Sequence, residues 1–128
     1  MEITGADHFL AAARRTVPEL TVEQAKARVD AGEAILVDVR DAGEWQSGRV
    51  PGAILAPRGI LEWMADPACP NHIPALVAAV DSPVILQCAH GFRSLLAGQT
   101  LQQMGFTDVA SVIGGFEAWE QAGYPVER

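Results

Sequence analysis

The chain has few cysteines, few positive charges and no long apolar run. Its 128 residues include 2 cysteines and 9 Lys and Arg against 16 Asp and Glu, and 6% are aromatic. The net charge of −7 excludes a general affinity for nucleic acid backbones or anionic membranes, because both need a basic face. No apolar run approaches the ~20 residues of a membrane span. The opening "MEITGADHFL" carries an acid where a secretory signal has basic residues, and it lacks an apolar core. A cytoplasmic protein without nucleic-acid or membrane partners is expected. In that compartment its two cysteines are free thiols, not a disulfide framework. Internal repeats and low-complexity tracts are also absent, which excludes solenoids and extended disorder.

What is present suits one folded domain, since 49% of residues are hydrophobic and the length falls in the usual range of ~100–150 residues. "DHFLAAARR" places Phe9, Leu10 and Ala13 at helical spacing and stops before Pro18, so residues 1–19 read as a helical extension packed on the domain of residues 20–128. The same apolar spacing serves packing on a neighbour's domain equally well. "LTVEQAKARVDAGEA" follows as a helix, with Thr21 as N-cap, Gln24 three residues on, and Gly32 closing it. "AILVDVR", "VILQC" and "DVASVI", with a shorter "AILA" near Ala53, are β-branched runs of the kind buried on both faces of a parallel sheet. Helical stretches around Leu61, around Leu76, from Arg93 to Met104 and at "GFEAWEQAG" alternate with them. The pattern predicts an α/β fold with a mostly parallel sheet and helices on both faces.

Such sheets bind ligands beyond the carboxyl ends of their strands. In "ILQCAHGFRSLLAGQTL" Cys88 ends a predicted central strand, and a helix begins near Phe92. A thiol attacks as thiolate, the form favoured by a helix N-terminus and by a nearby cation, and Arg93 supplies the cation. Gly91 lets the backbone curl so that successive N–H groups converge on the sulfur. Ser94 either caps those amides or turns its hydroxyl inward. The loop is a cradle for a nucleophilic sulfur and an attached anion; the plain alternative is a buried cysteine beside a helix cap.

"CAHGFRS" resembles the active-site loop of the rhodaneses, Cys-x-x-Gly-x-Arg-Ser. "LVDVRDAGEWQSGRVPGAI" resembles that family's first signature, and "LQQMGFTDVASVIGGFEAWEQAGYPV" its closing one. The resemblance runs from about Leu20 to Val126 and identifies a single-domain rhodanese. It implies a five-stranded, mostly parallel sheet flanked by helices. It also implies a sulfurtransferase of the thiosulfate type that needs no cofactor or metal. Cys88 would take a sulfane sulfur from thiosulfate or a persulfide donor, hold it as a persulfide, and pass it to cyanide or a thiol or protein acceptor. Ala89, His90, Gly91, Phe92 and Ser94 would line the persulfide, and Arg93 would steady the loop or the anionic donor. The phosphatases built on this fold have one more residue between cysteine and arginine; the six positions from Cys88 to Arg93 are the rhodanese length. A docking or regulatory module with little turnover is the alternative from another class.

Ala89 stands where many rhodaneses carry a basic residue, so the loop is less cationic and a persulfide or another protein is the expected donor in place of thiosulfate. His90 either lines the pocket or, when protonated, restores part of the charge. Phe92 either forms an apolar wall at the mouth or packs beneath the loop. Arg58 opens a helix at the same sheet edge and is placed there either as the missing cation or as solvated surface. Trp63 is expected in the core or as pocket wall, and Trp119 in the core. Asp38, Arg40 and Glu44 are read as an ion network fixing the strand end and the following turn. The "VPGA" turn keeps its structural role although Arg49 replaces the family's histidine. Gly114 and Gly115 form a tight turn near the loop. Cys69 reads as a passive thiol, with a resolving role, or zinc binding with His72, Cys88 and His90, as lesser alternatives.

Overall fold

The computed structural model describes residues 1–128. In chain order the elements are α1 (Ala6–Arg14), β1 (Glu19–Leu20), α2 (Val22–Asp30), β2 (Ile35–Asp38), α3 (Ala42–Ser47) and β3 (Ile54–Leu55). A 3-10 turn at Arg58–Ile60 leads into α4 (Leu61–Met64), and α5 (Pro74–Val77), β4 (Val84–Gln87), α6 (Phe92–Gln103), β5 (Val109–Val112) and α7 (Gly115–Gln121) follow. The five strands form one parallel sheet in the order β1-β5-β4-β2-β3.

β4 and β5 are buried along their whole lengths, which explains why their residues, apart from the buried Gln87 that ends β4, are apolar or small instead of alternating. Successive side chains still point to opposite faces. Val84 and Leu86 of β4 join Val37, Leu61, Leu76, Leu101 and Phe106 in one layer. Ile85 joins Leu36, Val112, Phe116, Trp119 and the α2 residues Val22 and Ala25 in the other. α2 begins with a reciprocal cap, in which Gln24 N donates to Thr21 Oγ1 and Thr21 N donates to Gln24 Oε1.

Three local expectations are corrected. The run "TVPEL" does more than end a helix: Glu19 and Leu20 pair with Ser111 and Val112 as the edge strand, and two residues are too few to show a period. The segment after Arg40 is the helix α3 and not only a turn; Asp41 N donates to Glu44 Oε1 at its start. On α1 the inward face is Ala13 with Leu10, joined by Val17 against Leu95 and Leu96 of α6, while Phe9 is half exposed. Trp63 is also more than half exposed and belongs to neither core layer, whereas Trp119 is buried and donates from Nε1 to Pro125 O. No helix is long and apolar enough to cross a membrane.

Candidate active site

β4 is central in the sheet, and Cys88 is the first residue beyond its carboxyl end. The chain turns at Gly91, whose φ of +99° is open to glycine and strained for other residues, and α6 starts at Phe92. This turn folds the backbone around the sulfur. Gly91 N donates to Cys88 Sγ at 3.2 Å and Ser94 N at 3.3 Å. The Ser94 hydroxyl lies 3.4 Å from Sγ. The residue is 1% exposed, so these groups, not water, are the neighbours of any negative charge on the sulfur. Fixed donors in a dry site stabilise an anion without having to reorganise.

Behind Ser94 stands Ser111 of β5, which the sequence reading missed. Its hydroxyl is 2.7 Å from that of Ser94 and also donates to Gly91 O at 3.4 Å. Both serines are fully buried, and a buried hydroxyl needs a partner. A polar residue in the otherwise apolar run "VASV" was the only available signal.

The α7 start closes the other side of the loop. Phe116 N donates to Cys88 O at 2.8 Å, and Glu117 N to Ala89 O at 3.2 Å. That approach requires Gly115: a Cβ there would lie 2.2 Å from Cys88 O. The tight turn at Gly114 and Gly115 is therefore what lets α7 hold the loop.

The charged residues divide differently from the expectation. Arg40 donates to Asp38 through Nε and Nη2 at 2.8 to 3.1 Å and to Gly48 O at 2.8 Å, with its guanidinium over the Phe116 ring at 4.2 Å. This pair is buried. Glu44 is no part of it by contact. Its two carboxylate oxygens accept from Arg93 Nη1 and Nη2 at 2.8 and 3.0 Å, so α3 is clamped to the loop. These Arg93 hydrogen bonds, aided by the Asp41 N–H and the nearby guanidinium charges and opposed by partial burial, hold the Glu44 carboxyl at about 2. The Glu44 carboxylate in turn raises Arg93 above the ordinary arginine value.

A carboxyl depressed on folding contributes stability that is present above its unfolded value near ~4.3 and is lost as pH falls through the folded one. The clamp therefore persists throughout the neutral range. Carboxyl-carbon NMR of Glu44 is expected to titrate with a midpoint near 2, moving up toward the ordinary carboxylate range in Arg93→Gln. An unchanged midpoint in the variant would show that Arg93 is not the cause.

The remaining candidates spread outward. His90 is exposed and its Nε2 lies 2.9 Å from Glu117 Oε2, so it sits on the rim and does not line a pocket. Phe92 is half exposed at the head of α6 and does not pack beneath the loop. Ala89 is partly buried. Arg58 does not replace the missing loop cation: its guanidinium bonds Glu62 and Thr100, and Thr100 lies about 10 Å along α6 from Arg93, at ~1.5 Å per residue. Cys69 and His72 share a turn between α4 and α5, with His72 Nδ1 2.6 Å from Cys69 O.

Known proteins resemble this chain in sequence and in fold. A thiosulfate sulfurtransferase, GlpE, from Vibrio cholerae is 34% identical over 122 residues, covering 94% of this chain and 97% of that protein. A Rhodopseudomonas palustris structure, described as a protein of unknown function and "Possible Tyrosine Phosphatase", superposes with a TM-score of 0.90 at 36% identity, over 99% of this chain and 97% of that one. A thiosulfate sulfurtransferase from Pseudomonas aeruginosa superposes with a TM-score of 0.76 at 31% identity, over 96% of this chain and 22% of that longer one. Residues 21–122, from the capped start of α2 to the end of α7 and so including the whole Cys88 loop and both helices that clamp it, match the family model of the Rhodanese-like domain, and the chain belongs to that family.

Proposed function

We propose that the protein is a sulfurtransferase that carries a sulfane sulfur on Cys88 as a persulfide. The observation that carries this reading is the convergence of Gly91 N, Ser94 N and the Ser94 hydroxyl on one buried sulfur. In the first half-reaction the Cys88 thiolate attacks the outer sulfur of thiosulfate or of a persulfide; the donor S–S bond breaks, and sulfite or a thiolate leaves with the electron pair. In the second, a thiol or cyanide attacks the stored sulfur and Cys88 leaves as thiolate. Donors fixed around the sulfur suit both steps, because Cys88 begins and ends the cycle as an anion.

Arg93 acts chiefly as a positioning residue, since both of its terminal guanidinium nitrogens are bonded to Glu44. Asp38 and Arg40 hold the β2 end against α7 and take no part in proton transfer. Phosphoester chemistry, raised by the name of the Rhodopseudomonas relative, suits this loop less well: the six positions from Cys88 to Arg93 draw the amides onto the sulfur itself. A cytoplasmic location, where thiols stay reduced, suits the chemistry.

The test is intact-protein mass spectrometry after incubation with thiosulfate and, separately, with an organic persulfide. One added sulfur is expected in wild type and in Cys69→Ser, and none in Cys88→Ser. An adduct that survives Cys88→Ser would overturn the assignment. Alkylatable Cys88 that no donor loads would identify a docking module built on the same fold.

A further inference from the structure

Ser94 and Ser111 form a chain of two hydroxyls behind the sulfur. The steps are Cys88 Sγ to Ser94 Oγ at 3.4 Å, Ser94 Oγ to Ser111 Oγ at 2.7 Å, and Ser111 Oγ to Gly91 O at 3.4 Å. Both serines are 0% exposed and Cys88 is 1% exposed, so the hydroxyls answer to one another and not to water. Each hydroxyl has one proton to donate and lone pairs with which to accept, whereas the Gly91 carbonyl only accepts.

Counting those protons leaves two complete arrangements. In the outward one the Cys88 thiol donates to Ser94, Ser94 to Ser111, and Ser111 to Gly91 O. In the inward one Ser111 donates to Ser94, and Ser94 donates to the sulfur. The 2.7 Å bond exists in both, with its direction reversed. Only Gly91 O loses a donor in the inward arrangement. Gly91 is the N-cap of α6, the position whose carbonyl already accepts the first bond of the helix. A neutral thiol has a proton to give and favours the outward arrangement. A thiolate has none and accepts strongly, so it favours the inward one, in which both hydroxyl dipoles point at the negative charge and polarise each other.

We infer that Ser111 is a positioning residue that stabilises the Cys88 thiolate through Ser94, by reversing the direction of this hydroxyl chain when the sulfur becomes charged. The inference deepens the sulfurtransferase reading above, in which Cys88 attacks as thiolate in the first half-reaction and departs as thiolate in the second. No proton travels along the chain: the thiol proton leaves to solvent, and each hydroxyl proton stays on its own oxygen and swings to a new acceptor. In the persulfide Sγ is a bridging sulfur without full charge. The inward chain therefore favours the free thiolate over the loaded state and helps Cys88 leave.

The test follows alkylation of Cys88 by iodoacetamide against pH in a Cys69→Ser background, where Cys88 is the one remaining thiol. The midpoint of the profile reports the thiolate, whatever the folded fraction or the ease with which the reagent reaches the sulfur. Arg93 paired with Glu44 of α3, His90 with Glu117 of α7, and Arg40 with Asp38 of β2 are the charged groups around the loop. All are common to the proteins compared. Ser111→Ala is expected to move the midpoint upward by about half a pH unit or more, which is about a threefold loss of thiolate at a fixed pH below it. Ser94→Ala is expected to move it at least as far. Adding Ser111→Ala to Ser94→Ala is expected to move it no further, because the chain then has no link to the sulfur. A midpoint unmoved or lowered in Ser111→Ala overturns the inference. A full Ser111→Ala shift in the Ser94→Ala background also overturns it, since Ser111 would then act by another route. Alkylation needs no sulfur donor, so a Cys88 that alkylates with the expected profiles but that no donor loads overturns the persulfide reading and not the chain.

Discussion

Gly115→Ala is expected to lower the melting temperature by about 10–15 °C and to slow Cys88 loading at least ~100-fold. The added Cβ would stand 2.2 Å from Cys88 O, 2.7 Å from Ala89 C and 2.8 Å from Ala89 O. These are backbone atoms that no rotamer change can move aside. The φ of +55° adds the ordinary cost of a left-handed conformation, ~1–2 kcal/mol. To relieve the contact α7 must withdraw, which breaks the bonds from Phe116 N and Glu117 N to the loop carbonyls. Together these come to about 3 kcal/mol, the range of strained or overpacked sites. The loss of rate follows because the amides of Gly91 and Ser94 must lie on Sγ within tenths of an ångström. Gly123→Ala is the control, with φ +76° and nothing near its Cβ. It is expected to show the conformational cost alone and near-normal loading. Equal behaviour of the two variants in thermal melts and loading assays would mean that the α7 contact does not hold the loop.

The second large effect is expected at Asp38. Removing it in Asp38→Ala leaves the Arg40 guanidinium, in a residue 4% exposed, with Gly48 O and the Phe116 ring but no counter-charge. Breaking a buried pair in this way costs about 3–5 kcal/mol. The double variant Asp38→Leu with Arg40→Leu removes both charges and keeps apolar volume, and it is expected to recover a large part of that loss, because no uncompensated charge stays buried. Chemical denaturation of the two variants measures the difference. A double variant less stable than the single would show that the pair contributes more than the cost of desolvating it.

Both predictions concern how the loop is held, which is the part least legible in the sequence. The loop itself was legible. Cys88, Gly91, Arg93 and Ser94 lie within seven consecutive positions, and the physical requirements of an anionic sulfur at a strand-to-helix turn are met locally: a residue free to adopt positive φ, amides at a helix start, a hydroxyl. The buried strands declared themselves by continuous apolar runs, and the α2 start by its Thr21–Gln24 pair. Elements of two residues, such as β1, had no period to read.

Glu44 illustrates the other limit. It lies four residues from Arg40 and 49 from Arg93, and sequence proximity favoured the wrong neighbour. Only the parallel crossover that places β2 beside β4 brings the α3 start to the loop. Ser111 is the same case, a small polar residue in a strand whose value depends on β5 lying next to β4. At the mouth the sequence left alternatives open for a related reason. Which of His90, Phe92, Arg58 and Trp63 faces the thiol depends on partners far along the chain: Glu117 for His90, and Thr100 for Arg58. The sequence by itself determined the Cys88 loop with its converging amides and the α/β architecture, because these follow from local backbone chemistry and hydrophobic pattern. The tertiary structure alone decided which charges remain free, which apolar side chains stay exposed and what holds the loop shut, because ion pairs and close backbone approaches are made across the sheet between residues that the sequence keeps apart.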